Sequence, residues 1–277
     1  MNPAKKKKIN IFFSRKKKIN IFFSRKKKID IRQVQDKKNI AVFDLDGTVF
    51  RSSLMIELLE GLIEEEIFPI KVQEIYAREY QKWLDRKGPY DDYIEKISQA
   101  YRKFIKGIKD EQVWRVARKV IAFQKNRTYR FTRNLILKLK KTHWLLAISG
   151  SPRDMVKRFG REFGFDKTYS RIFEVDKKGF FTGRILFEEL IEDKGKILKQ
   201  VVGKENLTLK HSIGIGDTET DIPFLKLVEH PIAFNPNSEL YQYARKRNWP
   251  IIVERKDVIY QLGGKKLPFI VKNALND

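Results

Sequence analysis

Three short apolar runs end abruptly in small or acidic residues, and the rest of the chain is arranged around them. Ile40-Ala41-Val42-Phe43 runs into Asp44-Leu45-Asp46-Gly47-Thr48, and Trp144-Leu145-Leu146-Ala147-Ile148 into Ser149-Gly150-Ser151-Pro152. Ile213-Gly214-Ile215-Gly216 runs into Asp217-Thr218-Glu219-Thr220-Asp221. Short apolar runs bounded by turn signals read as buried strands of a parallel sheet. Ile232-Ala233-Phe234 and Ile251-Ile252-Val253 supply two more, with a helix over 239–247 between them. Residues Tyr169–Val175 and Phe180–Leu186, joined by Asp176-Lys177-Lys178-Gly179, read as a hairpin.

Between the first two runs the period changes. Ser52 or Ser53 can cap a helix whose Leu54, Leu58, Leu59, Leu62 and Ile63 recur at helical spacing. The same spacing continues over Val72–Trp83, breaks at Gly88-Pro89, and resumes over Tyr93–Ile105 and Val113–Ile121. A helix over Tyr129–Lys140 then leads back to the sheet. The pattern predicts an α/β fold: a Rossmann-like doubly wound parallel sheet with an inserted all-helical cap. The core is expected over 37–50 and 128–277, and the cap over 51–127. The aromatic stripe Tyr76, Tyr80, Trp83, Tyr93 and Tyr101 reads as the interior of that cap.

Composition narrows the picture. With 277 residues, 42% of them hydrophobic, a folded core is expected. The absence of cysteine excludes disulfides and thiolate metal sites and agrees with a cytoplasmic protein. The net charge of +24 suggests an anionic partner, but its distribution weakens the inference. Residues 1–38 hold 15 Lys/Arg against 2 Asp, over half of the excess. There KKKKINIFFS is followed by RKKKINIFFS and a decayed third copy. This leader, 1–36, is expected to be a disordered basic extension. Weak contact with an anionic membrane surface or nucleic acid is its sharper reading, which would make the protein membrane-peripheral.

Ligands of open α/β sheets sit past the carboxyl ends of the strands. Gly47 breaks the first strand, so Asp44 and Asp46 can both turn toward that crevice. Crowded carboxylates repel unless a cation or a shared proton relieves them. A calcium loop is excluded, since Met55 stands where its closing Glu would be. At the second run Ser151 is expected as N-cap and Pro152 as first helical residue, a helix start suited to phosphate. Lys194 opens another helix, and the third run adds Asp217 and Asp221. Converging carboxylates make a hard-oxygen site for Mg²⁺, while Ser149, Lys194 and helix N–H groups make an oxyanion cradle. His143, His211 and His230 flank strands without metal-like spacing and read as structural. The reaction class that needs these parts is phosphoryl transfer through an aspartyl-phosphate.

The set Asp44-Leu45-Asp46-Gly47-Thr48, Ser149, Lys194 and Gly216-Asp217…Asp221 resembles the four signature motifs of the haloacid dehalogenase-like phosphohydrolases. The resemblance covers about Asn39 to Val253 and is nearest to the branch that includes phosphoserine phosphatase. It implies Asp44 as nucleophile and Asp46 as general acid and then base. It implies substrate contacts from Thr48, Ser149, Gly150 and Lys194, with Lys194 also steadying Asp44 and Thr48 supporting the turn that places Asp46. The implied metal ligands for Mg²⁺ are Asp44, Asp46 through its carbonyl, Asp217 and Asp221. Phosphoserine phosphatases carry a Glu where this chain has Ser53, and usually an Asn where it has Thr220. The expected activity is therefore hydrolysis of a small-molecule or lipid-like phosphomonoester, with L-phosphoserine a poor substrate. A phosphoserine phosphatase, a phosphotransferase and a non-catalytic phosphate-binding protein are the alternatives.

Overall fold

The computed structural model describes residues 37–275. The leader, and every expectation attached to it, lies outside the described residues. Strand β1 (Asn39–Asp44) is followed by helix α1 (Leu54–Glu64), a 3-10 turn (Ile70–Ile75), α2 (Ala77–Leu84), α3 (Tyr90–Ile105), α4 (Asp110–Gln124) and α5 (Arg130–Leu139). Next come β2 (His143–Pro152), α6 (Arg153–Phe163), the hairpin β3 (Lys167–Val175) and β4 (Phe181–Leu186), α7 (Glu188–Glu192) and α8 (Lys194–Lys204). The chain continues through β5 (Thr208–Gly216), α9 (Ile222–Leu225), β6 (His230–Phe234), α10 (Ser238–Arg247), β7 (Ile251–Arg255), β8 (Val258–Gln261) and α11 (Phe269–Leu275).

The strands form one sheet in the order β4-β3-β2-β1-β5-β6-β7-β8. Neighbours from β3 to β7 run parallel, whereas β4 and β8 close the two edges antiparallel. Period-2 alternation in β1 sends Ala41 and Phe43 to one face, and Ile40 and Val42 to the other. Both faces are covered, as a parallel sheet requires. Helices α1, α3, α4, α5, α6 and α11 contribute to the hydrophobic cluster on the first face, and α8, α9 and α10 to that on the second. This is the expected doubly wound α/β class with antiparallel edges added. Helices α7 and α11 and strand β8 have no counterpart in the sequence reading. Strand β8 is short and mostly exposed, so it carries no apolar run to announce it.

Helices α1 to α4 fill the interval between β1 and β2 and share one hydrophobic cluster with the sheet, from Phe43 and Phe131 through Leu58 to Ile97, Tyr101 and Val116. Ser53 caps α1, its hydroxyl accepting from the Met55 N–H. The expected cap at α6 is displaced by one residue. Strand β2 runs on through Pro152, which is itself the N-cap with extended backbone. The Ser151 hydroxyl instead accepts from the Met55 N–H at 3.0 Å, tying β2 to α1.

Candidate active site

Register brings the three sequence motifs to one level. Asp44 pairs with Ile148 of β2, and Phe43 with Ile215 of β5, so Ser149 and Asp217 emerge on either side of Asp44. Helix α8 starts below this line, with Asp193 capping it through the Lys196 N–H. Lys194 Nζ then lies 2.6 Å from Asp44 Oδ1 and 2.6 Å from Asp221 Oδ1, all three side chains buried. Burial alone would lower the ammonium's pKa, but Asp221 and Asp44 more than reverse this and hold it protonated. The other Asp44 oxygen, Oδ2, is buried without a hydrogen-bond partner among the described residues. A buried carboxylate oxygen left free is costly and is where chemistry or a cation is expected.

Each remaining residue of the set has a defined contact. Asp46 accepts from the Leu54 N–H at 2.5 Å and from the Ser149 hydroxyl at 2.5 Å. Burial nevertheless raises its pKa, so it keeps a proton more readily than a free carboxylate. The Ser149 Oγ in turn accepts from the Ser151 N–H, so this hydroxyl fixes Asp46. Thr48 is fully buried and donates to Asp217 Oδ1 at 3.1 Å, orienting that carboxylate. Gly150 lies on the cavity wall, with nothing within 4 Å of the place a β-carbon would take. Asp221 Oδ2 accepts from the N–H groups of Asp217 and Thr218.

Among the described residues, carboxylate oxygens of Asp44, Asp217 and Asp221 lie within 4.8 Å of one another. Burial, then mutual repulsion, pushes Asp217 well above the usual carboxylate range. Asp44 shifts the same way through burial, with Lys194 opposing. These all-oxygen donors, the orphaned Oδ2 and the repulsion that Lys194 only partly offsets fit a hard divalent cation such as Mg²⁺. Gly47 is indispensable to this crowding. At φ 78° it adopts a left-handed conformation, and a β-carbon there would stand 2.1 Å from Asp217 Oδ2.

Above this floor lies a cavity of about 370 Å³. Its far wall comes from residues the sequence reading did not single out: Tyr90, Asp91, Ile94, Glu95 and Ser98 of α3, and Arg171 of β3. Arg171 donates to the Ser98 hydroxyl at 2.7 Å, while its Nε is buried without a partner among the described residues. The only sequence signal for this wall was α3's helical period, which places Asp91, Ile94, Glu95 and Ser98 on one face. The aromatic stripe divides: Tyr76, Tyr93 and Tyr101 are buried. Tyr80, Trp83 and Tyr93 line a second cavity that shares Gly47, Tyr90 and Asp217 with the first.

Residues 41–226 match the family model of the haloacid dehalogenase-like hydrolases. The chain belongs to this family. A hydrolase of Mycobacterium leprae is 28% identical over 223 residues, covering 76% of this chain and 71% of that protein. A phosphoserine phosphatase of Mycobacterium tuberculosis is 26% identical over 226 residues, covering 76% and 69%. A solved phospho-aspartyl intermediate analogue of phosphoserine phosphatase superposes with a TM-score of 0.53 at 23% identity, covering 80% of this chain and 95% of that one. The chain is thus a haloacid dehalogenase-like hydrolase whose relatives include phosphatases.

Proposed function

We propose that the enzyme is a Mg²⁺-dependent phosphomonoester hydrolase that works through an aspartyl-phosphate on Asp44. One observation carries this reading. The buried Asp44 has one oxygen clamped by Lys194 and the other free beside a cavity of small-molecule size. Asp44 Oδ2 attacks phosphorus, the ester P–O bond breaks, and the leaving oxygen takes a proton from Asp46, whose pKa burial raises. Asp46, now ionised and held by Ser149 and the Leu54 N–H, takes a proton from the water that attacks the aspartyl-phosphate. Inorganic phosphate leaves and Asp44 is restored. Lys194 carries positive charge beside the transferring oxygens. Mg²⁺ held by Asp44, the Asp46 carbonyl and Asp217, with Asp221 behind them, would offset the repulsion between carboxylate and phosphate.

The substrate in this reading is a small phosphomonoester whose leaving group reaches the α3–β3 wall. A second reading, L-phosphoserine itself, gains from that wall. Ser53 offers no carboxylate, but Asp91 and Glu95 supply negative charge, and Arg171 supplies positive charge, to the same cavity. The Mycobacterium tuberculosis relative is named for that substrate. The test is steady-state hydrolysis of a phosphomonoester panel with Mg²⁺, joined to acid-quench trapping of the phosphorylated protein. Trapped phosphate is expected in the native enzyme and absent in Asp44→Asn. Turnover retained by Asp44→Asn would overturn the covalent reading. A strong preference for L-phosphoserine over the same ester without its amino group would select the second substrate.

A further inference from the structure

The amino end of the sheet holds a second cluster of metal-ligating groups that the phosphatase chemistry does not use. His211 lies near the start of β5, and Glu229 and His230 at the start of β6. Their donor atoms come within 4.8 Å of one another. His211 is six residues before Asp217 along the strand direction, so the two sites are separated by roughly 20 Å at strand rise. In the sequence His211 and His230, nineteen positions apart, flank strands without metal-like spacing and read as structural. Parallel pairing of β5 with β6, Ile213 against His230, closes that distance.

The geometry points to a site for a divalent transition metal, Zn²⁺ or a close analogue, made of His211, Glu229 and His230. Glu229 Oε1 stands 3.6 Å from His211 Nδ1 and 3.6 Å from His230 Nε2. Tetrahedral zinc with arms of about 2.0–2.1 Å separates its ligand atoms by roughly 3.3–3.4 Å, so two of the three edges need only a small contraction. The carboxylate is held in place by a second contact, the His211 N–H donating to Glu229 Oε2 at 2.6 Å. The Glu229 N–H donates to the Ser212 hydroxyl at 3.0 Å, which fixes the backbone of that ligand too. His211 takes a left-handed backbone, φ 55°, which a histidine adopts only at a cost. Its carbonyl lies 3.2 Å from His143 Nε2, and the other His143 nitrogen lies 2.8 Å from the Thr142 hydroxyl. The third histidine is thus an anchor and not a ligand.

Two imidazoles and one carboxylate suit zinc, in contrast to the all-carboxylate cluster at the opposite strand ends. Bound metal would tie the start of β5 to the start of β6 and stabilise the fold by mass action. The test is equilibrium dialysis of the tag-free full chain against ZnCl₂ in excess Mg²⁺, with thermal melts and phosphatase turnover measured alongside. His211→Asn keeps a residue that tolerates the left-handed backbone, and His230→Gln is the second variant. The expected result is one Zn²⁺ per native chain, at least tenfold weaker binding in each variant, a zinc-dependent rise in melting midpoint for the native protein only, and unchanged Mg²⁺-supported turnover. Undiminished binding in His211→Asn and His230→Gln, or no bound zinc in the native chain, would overturn the assignment.

Discussion

The floor and the far wall of the active-site cavity are built from different kinds of sequence. The floor comes from strand ends and one helix start: Asp44, Asp46, Gly150, Lys194, Asp217. Each sits in a short local motif; parallel register brings the strand ends together, and the start of α8 adds Lys194. The wall comes from a helix face and a hairpin strand: Asp91, Glu95 and Ser98 of α3, with Arg171 of β3. The floor crowds like charges in a buried space and leaves one carboxylate oxygen without a partner. The wall mixes charges of both signs with apolar atoms. In the proposed function the crowded carboxylates serve the chemical step, and the mixed charge of the wall serves the choice of leaving group.

The sharpest way to break the floor is Asp44→Asn. An amide cannot attack phosphorus, so turnover should fall to background, at least about 10³-fold, while the fold persists because Asn is nearly isosteric. EDTA should have a comparable effect, reversed by Mg²⁺. Asp46→Asn is the graded counterpart. Loss of a general acid costs about 10²–10⁴-fold, concentrated on alkyl esters, whose leaving oxygens need the proton. The pH dependence has a definite sign. Burial raises the Asp46 pKa, so the protonated form needed for alkyl esters persists to higher pH than in a free carboxylate and is lost as pH rises through the raised value. The profile of kcat/KM for alkyl esters should therefore fall on its basic side well before that for aryl esters. Equal profiles, or equal losses across both ester types in Asp46→Asn, would rule out its role as acid.

The same contrast explains what could be read from the sequence. Strand ends advertise themselves, since an apolar run stopping at Asp44-Leu45-Asp46-Gly47 has little meaning as packing. The whole floor was legible for that reason. Thr48 and Ser149 read as substrate contacts in the sequence, and in the structure their hydroxyls also donate to Asp217 and Asp46. The sequence names the oxygen but not the direction it faces. Glu95 and Arg171 are lost among 34% charged residues, and nothing in their spacing links α3 to β3. The nearness of His211 and Glu229 was likewise not legible, because only β5–β6 pairing joins them.

A test of the wall is Arg171→Met, which keeps much of the side chain's length and removes its charge. Burial lowers the pKa of this guanidinium, yet Arg remains charged and its Nε has no partner. It is therefore expected to hold an anionic group on the leaving side of the substrate. A lost charge-assisted contact of about 1.5–3 kcal/mol corresponds to roughly a ten- to hundredfold loss. That loss should appear in KM for carboxylate-bearing esters such as phosphoglycolate and leave ethyl phosphate nearly unchanged. A uniform loss across both esters would mean that Arg171 only supports α3 through Ser98.

The smallest expected effect concerns stability, and it separates floor from wall most directly. Burial and neighbouring carboxylates raise the Asp44 and Asp217 pKa values above their unfolded values. Folding therefore favours their protonated forms. The corresponding stability is fully present below the unfolded carboxylate pKa and disappears as pH rises through the folded values. At neutral pH without metal the floor should consequently weaken the fold. Asp217→Asn removes one charge from that cluster while its amide oxygen can still accept from Thr48. If about 1 kcal/mol of repulsion is relieved, the midpoint in EDTA should rise by about 2–4 °C. Mg²⁺ should raise the midpoint of the native protein but hardly that of Asp217→Asn, since the variant lacks a ligand. Glu95→Gln on the wall should shift neither midpoint, because Glu95 is exposed and its recorded partner is Gln99. A lower midpoint for Asp217→Asn in EDTA would show that its hydrogen bond to Thr48 outweighs the repulsion. The floor would then be a satisfied network and not a site held open for a cation.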